Sequence, residues 1–163
     1  KEVRVDTAVT LRSEVSYSLA VASGEGPVPP VAEAKTTYLV TWQVESTTNE
    51  LGELEVAATL PPYVSYEDKI TGAGGLSYNT TTRELLWNTN SVEAGGATSV
   101  TFKLGFLPSR SQIDTTPTLV GSQRLRATDK YTGSVLRATA PALTSELSSE
   151  AGFGEDSGRV VDR

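Results

Sequence analysis

The chain has 163 residues, enough for one domain with tails and a sizeable core. It contains no Cys and no His, which removes disulfides, thiolate nucleophiles, thiolate or imidazole metal sites, and every His-dependent catalytic pair. Fourteen basic residues against 20 acidic ones leave a formal charge of -6, which disfavours both a nucleic-acid footprint and adhesion to anionic lipid.

Strand periodicity dominates the chain in order. Residues 1–10 read as a linker or an additional N-terminal strand. Val15, Tyr17, Leu19 and Val21 then alternate as a weak strand. Pro27, Pro29 and Pro30 mark an extended connection. In Tyr38–Glu45, Tyr38, Val40, Trp42 and Val44 take one face, while Leu39, Thr41, Gln43 and Glu45 take the other. The turn "STTNELGE" follows. Glu53–Leu60 alternates again, with Leu54, Val56, Ala58 and Leu60 inward, and ends at Pro61-Pro62, which supply no ladder donors. Short strands are expected at Val64–Glu67, Gly75–Tyr78 and Glu84–Asn88, the last with Leu85 and Trp87 on one face. "YNTTTRE" and "VEAGGAT" supply turn chemistry between runs.

Val100–Phe106 carries the clearest alternation, with Val100, Phe102, Leu104 and Phe106 inward and Thr101, Lys103 and Gly105 outward. Each such apolar side chain contributes about 1.5–3 kcal/mol when fully buried, so a one-residue slip is strongly disfavoured. Thr118–Thr128 is long enough to bend or bulge around Gly121, and Ser134–Thr139 returns after the turn "TDKYTG". Residues 148–163 read as a polar linker or tail, although Val160 and Val161 give it a means of docking on an edge. No run of ten residues has a helical stripe. No apolar stretch approaches the roughly 18–20 residues of a membrane span, so direct membrane insertion is not expected. The absence of Met, even at residue 1, reads as a mature or excised segment. The strand spacing predicts an all-β antiparallel sandwich of about seven to nine strands, with residues 11–147 as the domain; a closed barrel is the alternative.

The stretches "GPVPPVAEAKTTYLVTWQVESTTNELGELEVAATLPPYVSY" and "LSYNTTTRELLWN" extend this reading. Their T-Y-x-V-x-W strand, T-N-rich turn, V-x-A-x-L-P-P strand and Y-N-x-x-T-x-x-x-x-W hairpin resemble the DUF11-type conserved repeat domain of bacterial and archaeal cell-surface proteins. "LPSRSQIDTTPTLVGSQRLRATDKYTG" and "APALTSEL" look like versions of it in large secreted proteins of candidate-phylum (Patescibacteria-like) bacteria. The order and spacing of the motifs carry the likeness, over roughly residues 11–147. It implies an immunoglobulin-like sandwich, often one of several in tandem, in an exported envelope protein. It implies no catalytic residues. "STTNELGE" departs from the more Asn-rich turn usual in relatives, which bears on turn geometry.

Several residue groups admit a chemical reading beside a bland one. Glu53 and Glu55 sit at i and i+2, a spacing that suits the paired carboxylates of glycoside hydrolysis, against a solvated outer face. Asp114, Asp129 and Glu67 are the acids available for calcium at one end of a sandwich, but no closely spaced acidic run exists. "TGAGG" at 71–75 lacks a following helix and reads as a loop. "VDTAV" at 5–9 lacks the Gly and the second copy of an aspartic-protease segment, and no S-x-x-K motif occurs. Asn79-Thr80-Thr81 is a formal glycosylation sequon. Trp42 and Trp87 read as core anchors. Tyr63, Tyr66 and Tyr131 flank loops and are the candidates for sugar or partner contact. Lys103 would be the lysine of an isopeptide bond, but its phase points outward.

These readings assign no catalytic, cofactor-binding or metal-binding residue. They favour a non-enzymatic spacer or adhesion module of an extracellular, bacterial cell-surface protein. The expected partners are neighbouring domains of the same or identical chains, with surface glycans or proteins beyond them. The alternatives are a carbohydrate-binding module and a filament subunit assembling by terminal strand addition.

Overall fold

In the computed structural model, which describes residues 8–147 and 150–162, eleven strands form two antiparallel sheets and a small ladder. The first sheet has the order β1-β2-β7-β4, from β1 (Val9–Ser16), β2 (Thr36–Ser46), β7 (Ala97–Phe106) and β4 (Val64–Gly72). The second has the order β10-β9-β3-β6-β5, from β10 (Val135–Ala140), β9 (Gln123–Asp129), β3 (Leu51–Thr59), β6 (Glu84–Val92) and β5 (Gly75–Asn79). β8 (Thr118–Val120) pairs with β11 (Leu143–Thr144). The fold is all-β, as the alternation predicts.

The inner faces of the two sheets make one core. Tyr38, Val40, Trp42 and Val44 of β2, Val100, Phe102, Leu104 and Phe106 of β7, and Leu54, Val56 and Ala58 of β3 are all fully buried. Trp42 meets Phe102 edge-on at 4.9 Å between ring centroids, the T-shaped arrangement aromatic quadrupoles prefer. The register confirms the faces: Trp42 lies opposite Val100 and Val40 opposite Phe102. Leu39 departs from the alternation. It points outward beside Ser16 and Lys103, yet is fully buried.

The strands run between two ends of the molecule. One end carries the β2–β3, β6–β7 and β9–β10 turns; the other carries Thr36, Pro61 and the segment after Phe106. β2 spans the distance between them, about 33 Å at 3.3 Å per residue.

Three expectations about the strands need correction. The first strand is centred on Leu11 and Val15, both buried. The alternation of Tyr17, Leu19 and Val21 does not continue it, because residues 18 and 23 form an isolated bridge and Val21 is 58% exposed. Of residues 1–10, expected as a linker or an additional strand, Val9 and Thr10 belong to β1 and pair with β2, while residues 1–7 lie outside the described residues. Thr118–Thr128 is two strands rather than one bent strand. The chain leaves β8 at Gly121, whose amide donates to Thr59 O, and enters the second sheet as β9. β4 runs to Gly72, well beyond Glu67, with register shifts at Tyr66/Asp68 and Lys69/Thr71; such bulges interrupt the period that marks a strand in sequence.

The segment read as a polar tail packs against the body. Val160 is fully buried in the core, and Val161 forms a parallel bridge to Val31, framed by Ala32 N–H donating to Val161 O and Val161 N–H to Pro30 O. Upstream, both Glu150 carboxylate oxygens accept backbone N–H groups, from Tyr17 at 2.7 Å and from Ser18 at 2.8 Å. Phe153 packs edge-on against the Tyr17 ring. Docking through Val160 and Val161 is thus realised, and it closes the loop between β1 and β2 against the core.

Candidate interaction surfaces

The paired-carboxylate geometry is absent. Glu53 has a left-handed φ of 48° at a shift in the β3–β9 register, so regular i, i+2 alternation does not reach Glu55. Glu55 lies instead in a cross-strand row with Arg126 of β9 and Asn88 of β6. Its surroundings are cationic. Arg137 of β10 is directly opposite Arg126, and Arg124 lies two residues along β9, where it pairs with Glu84 at 3.4 Å. With Ala57 and Thr139, these side chains border a shallow groove of about 340 Å³ on the outer face of the second sheet. Like charges directly opposite one another are unfavourable, and Glu55 on the far side of Arg126 offsets the Arg126–Arg137 approach in part. The i, i+2 spacing of Arg124 and Arg126 is visible in the sequence; the approach of Arg137 depends on strand register.

The three acids weighed for calcium are not together. Asp129 sits at the β9–β10 turn, where it is fully buried and acts as a staple. Its Oδ2 accepts from Asn49 Nδ2 at 2.9 Å, and its Oδ1 accepts from the Tyr131 and Thr132 amides. Asp114 lies toward the opposite end, after Phe106, with its amide donating to Val160 O. Glu67 lies on the outer face of β4 in an ion pair with Lys35. Among the described residues no group of three or more acidic side chains is placed to hold a metal ion.

"TGAGG" is the corner by which β4 of one sheet passes into β5 of the other. Gly74 has φ of 69°, and a Cβ there would lie 2.2 Å from Asn88 O, so glycine is required. Trp87 Nε1 donates to Ala73 O at 2.9 Å, and Lys69 Nζ to Gly74 O at 3.0 Å, which fastens the corner from both sides. The Asn79 side chain of the sequon accepts from the Thr81 and Thr82 amides and holds the β5–β6 turn. Trp42 and Trp87 are core residues, as expected. Lys103 lies half-buried on the outer face, opposite Leu39 and Asp68. Of "VDTAV", only Ala8 and Val9 fall within the described residues.

The tyrosines divide. Tyr63 packs on Phe106 at 5.7 Å, and Tyr66 packs against both Phe102 and Tyr78. Both are half-buried, and burial raises each phenol above its ordinary pKa, for Tyr66 with Asp68 adding to the shift. Each therefore rests one part of its ring on the core and keeps part at the surface. Tyr131 is 45% exposed and does stand at a turn. The most perturbed phenol is one the sequence places in the core. The Tyr38 pKa is raised strongly by burial, with Tyr17 and Glu146 adding to the effect, and its hydroxyl has no hydrogen-bond partner among the described residues.

The sequence matches no protein-family model and no curated protein. Solved structures do match the fold. The full-length major pilin SpaD from Corynebacterium diphtheriae aligns over 87% of this chain and 38% of its own, with 13% identity and a TM-score of 0.52. Domains D2 and D3 of the same pilin align over 82% of this chain and 51% of theirs, with 13% identity and a TM-score of 0.50. The RrgA Jo.In complex aligns over 81% of this chain and 76% of its own, with 8% identity and a TM-score of 0.52. The chain thus spans about a third to a half of the two pilin structures. At these identities the likeness is one of fold, and the fold is the immunoglobulin-like antiparallel sandwich found in pilin domains.

Proposed function

We propose that this chain is a non-enzymatic spacer module of a multi-domain protein on a bacterial cell surface or outside the cell, and a member of the DUF11-type repeat family that its strand-and-turn motifs resemble. The observation that carries the reading is the placement of Ala8 and Asp162, the first and last described residues. Ala8 exchanges hydrogen bonds with Thr47 at the β2–β3 turn, whereas Asp162 lies beside Arg110 at the opposite end of the sandwich. Domains joined through these points stand in series, and each adds the length of a sheet to the reach of the whole.

The load path suits that role. β1 pairs antiparallel with β2 over eight residue pairs, so pulling Ala8 away from Asp162 shears the whole ladder at once. At the other end, Val161 is held by Val31 and Val160 by the core. The pilin likeness supports a rigid module of this fold; the surface location and the tandem context are our reading.

Small-angle scattering from one, two and three copies joined in series tests it. The account expects the maximum dimension to rise by a constant step of at least about 33 Å per copy, the span of β2. A maximum dimension that stops growing, because copies fold back on one another, would refute the spacer role.

A further inference from the structure

Two sheets of this kind leave four edge strands, and the molecule treats them unequally. β1 and β10 lie against each other and close one side of the sandwich. Both also carry charge on their outer faces, as Arg12, Glu14 and Arg137. β4 presents Glu67, Asp68 and Lys69 and is broken by two register shifts. These are the usual devices that stop an edge from pairing with another chain.

β5 has none of them. Its sequence, Gly75-Leu76-Ser77-Tyr78-Asn79, contains no charge and no proline. Its register with β6 is unbroken, and among the described residues its backbone has no hydrogen-bonded strand on the other side. The apolar side chains along this edge are also incompletely covered. Leu76 and Tyr78 are half-buried against the core, and Tyr66 of β4 leans on Tyr78 at 6.1 Å.

We propose that β5 is a homotypic pairing edge, at which two copies of this chain join their second sheets through antiparallel β5 strands. The second copy is favoured as occupant because the strand is self-complementary. Centred on Ser77, an antiparallel pair sets Leu76 opposite Tyr78 of the second copy, and Gly75 opposite Asn79. The first is an aliphatic–aromatic pair, which stabilises strands, and it falls on the half-buried face. A two-fold contact of this kind closes on itself, so the product is a dimer rather than a fibre. Because each copy carries a charge of -6, screening by salt strengthens the contact. A contact made by the arginine groove would respond in the opposite direction. The inference does not depend on the spacer reading, since lateral pairing of the sheets is compatible with any role.

Sedimentation velocity of the full chain at up to about 1 mM, a range that reveals weak contacts, is the test. The wild type is expected to form dimers, more of them in high than in low NaCl. Ser77→Lys sets two ammonium groups side by side on the outward face and should weaken association roughly tenfold or more. Thr10→Lys adds the same charge on β1 and should leave association unchanged. Hydrogen exchange gives a second readout that needs no variant: amides within 75–79 should gain protection as concentration rises. A wild type monomeric throughout, assemblies larger than dimers, association weakened by salt, or equal effects of the two substitutions would each overturn the proposal.

Discussion

The assignment of faces on β7 makes a sharp prediction, because adjacent residues should respond very differently. Phe102 is fully buried, with its ring against Trp42 at 4.9 Å and Tyr66 at 6.4 Å. Truncation to alanine loses the transfer energy of the ring and leaves a cavity, a cost of about 3–5 kcal/mol. A domain of this size has roughly 5–15 kcal/mol of stability, so Phe102→Ala should remain folded with a much lower urea midpoint. For a slope of about 2 kcal/mol per molar urea, the shift is about 2 M. Phe102→Asp adds an unpaired buried carboxylate to the lost ring and should not fold. Lys103 lies on the outer face opposite Asp68, so Lys103→Asp should cost only about 1 kcal/mol, from like charges across the β4–β7 pair. Tryptophan fluorescence follows the transitions of Phe102→Ala and Lys103→Asp and reports Phe102→Asp as already unfolded without urea, since Trp42 and Trp87 are buried in the folded chain. Equal shifts for residues 102 and 103 would refute the inward and outward assignment.

Three further predictions test the connections. Tyr38→Phe removes a buried hydroxyl with no hydrogen-bond partner among the described residues, so it should leave stability unchanged or raise it by up to about 1 kcal/mol in urea titration. The same variant should flatten the alkaline limb. With the phenol raised in the folded chain above 10.0, the folded state holds more protons above pH 10, so wild-type stability falls as pH rises beyond 10, and Tyr38→Phe should lose part of that fall. Glu150→Gln leaves one acceptor oxygen for the Tyr17 and Ser18 amides, so one bond is lost and the other is no longer charge-assisted; it should cost about 1–3 kcal/mol, with faster hydrogen exchange at those amides. Asp129→Ala removes the acceptor shared by the Tyr131 and Thr132 amides and Asn49 Nδ2; about 2–3 kcal/mol of lost stability should appear as a lower thermal midpoint.

What the sequence made legible follows from how each signal arises. Central strands bury one face against the other sheet, so β2, β3 and β7 write strict alternation into the chain, and their inner residues were identifiable one by one. Edges and corners do not. β4 reads short in the sequence because its bulges shift the period, and Tyr17–Val21 mimics a strand although its alternating residues face partly to solvent. The closure by Glu150, Val160 and Val161 was only half visible: two valines in a polar segment can be seen, but a carboxylate reaching back over 130 residues to Tyr17 has no local signature. The same holds for the cationic row. Arg124 and Arg126 share a face by spacing, whereas Arg137 joins them only through the β9–β10 register. Separation in space is equally illegible: Asp129 and Asp114, two of the acids weighed for calcium, fall near opposite ends of strands about 33 Å long.

The central claim is that the sandwich holds its two ends apart as a stiff, shear-loaded unit. Single-molecule extension tests it directly, by comparing the chain pulled from residues 8 and 162 with the chain pulled from residues 8 and 95, which share one end. The account predicts one cooperative rupture in the first geometry, releasing roughly 500 Å of chain at about 3.6 Å per residue, at a force well above that needed in the second. Gradual lengthening from residues 8 and 162, or rupture there at a force no higher than from residues 8 and 95, would contradict it.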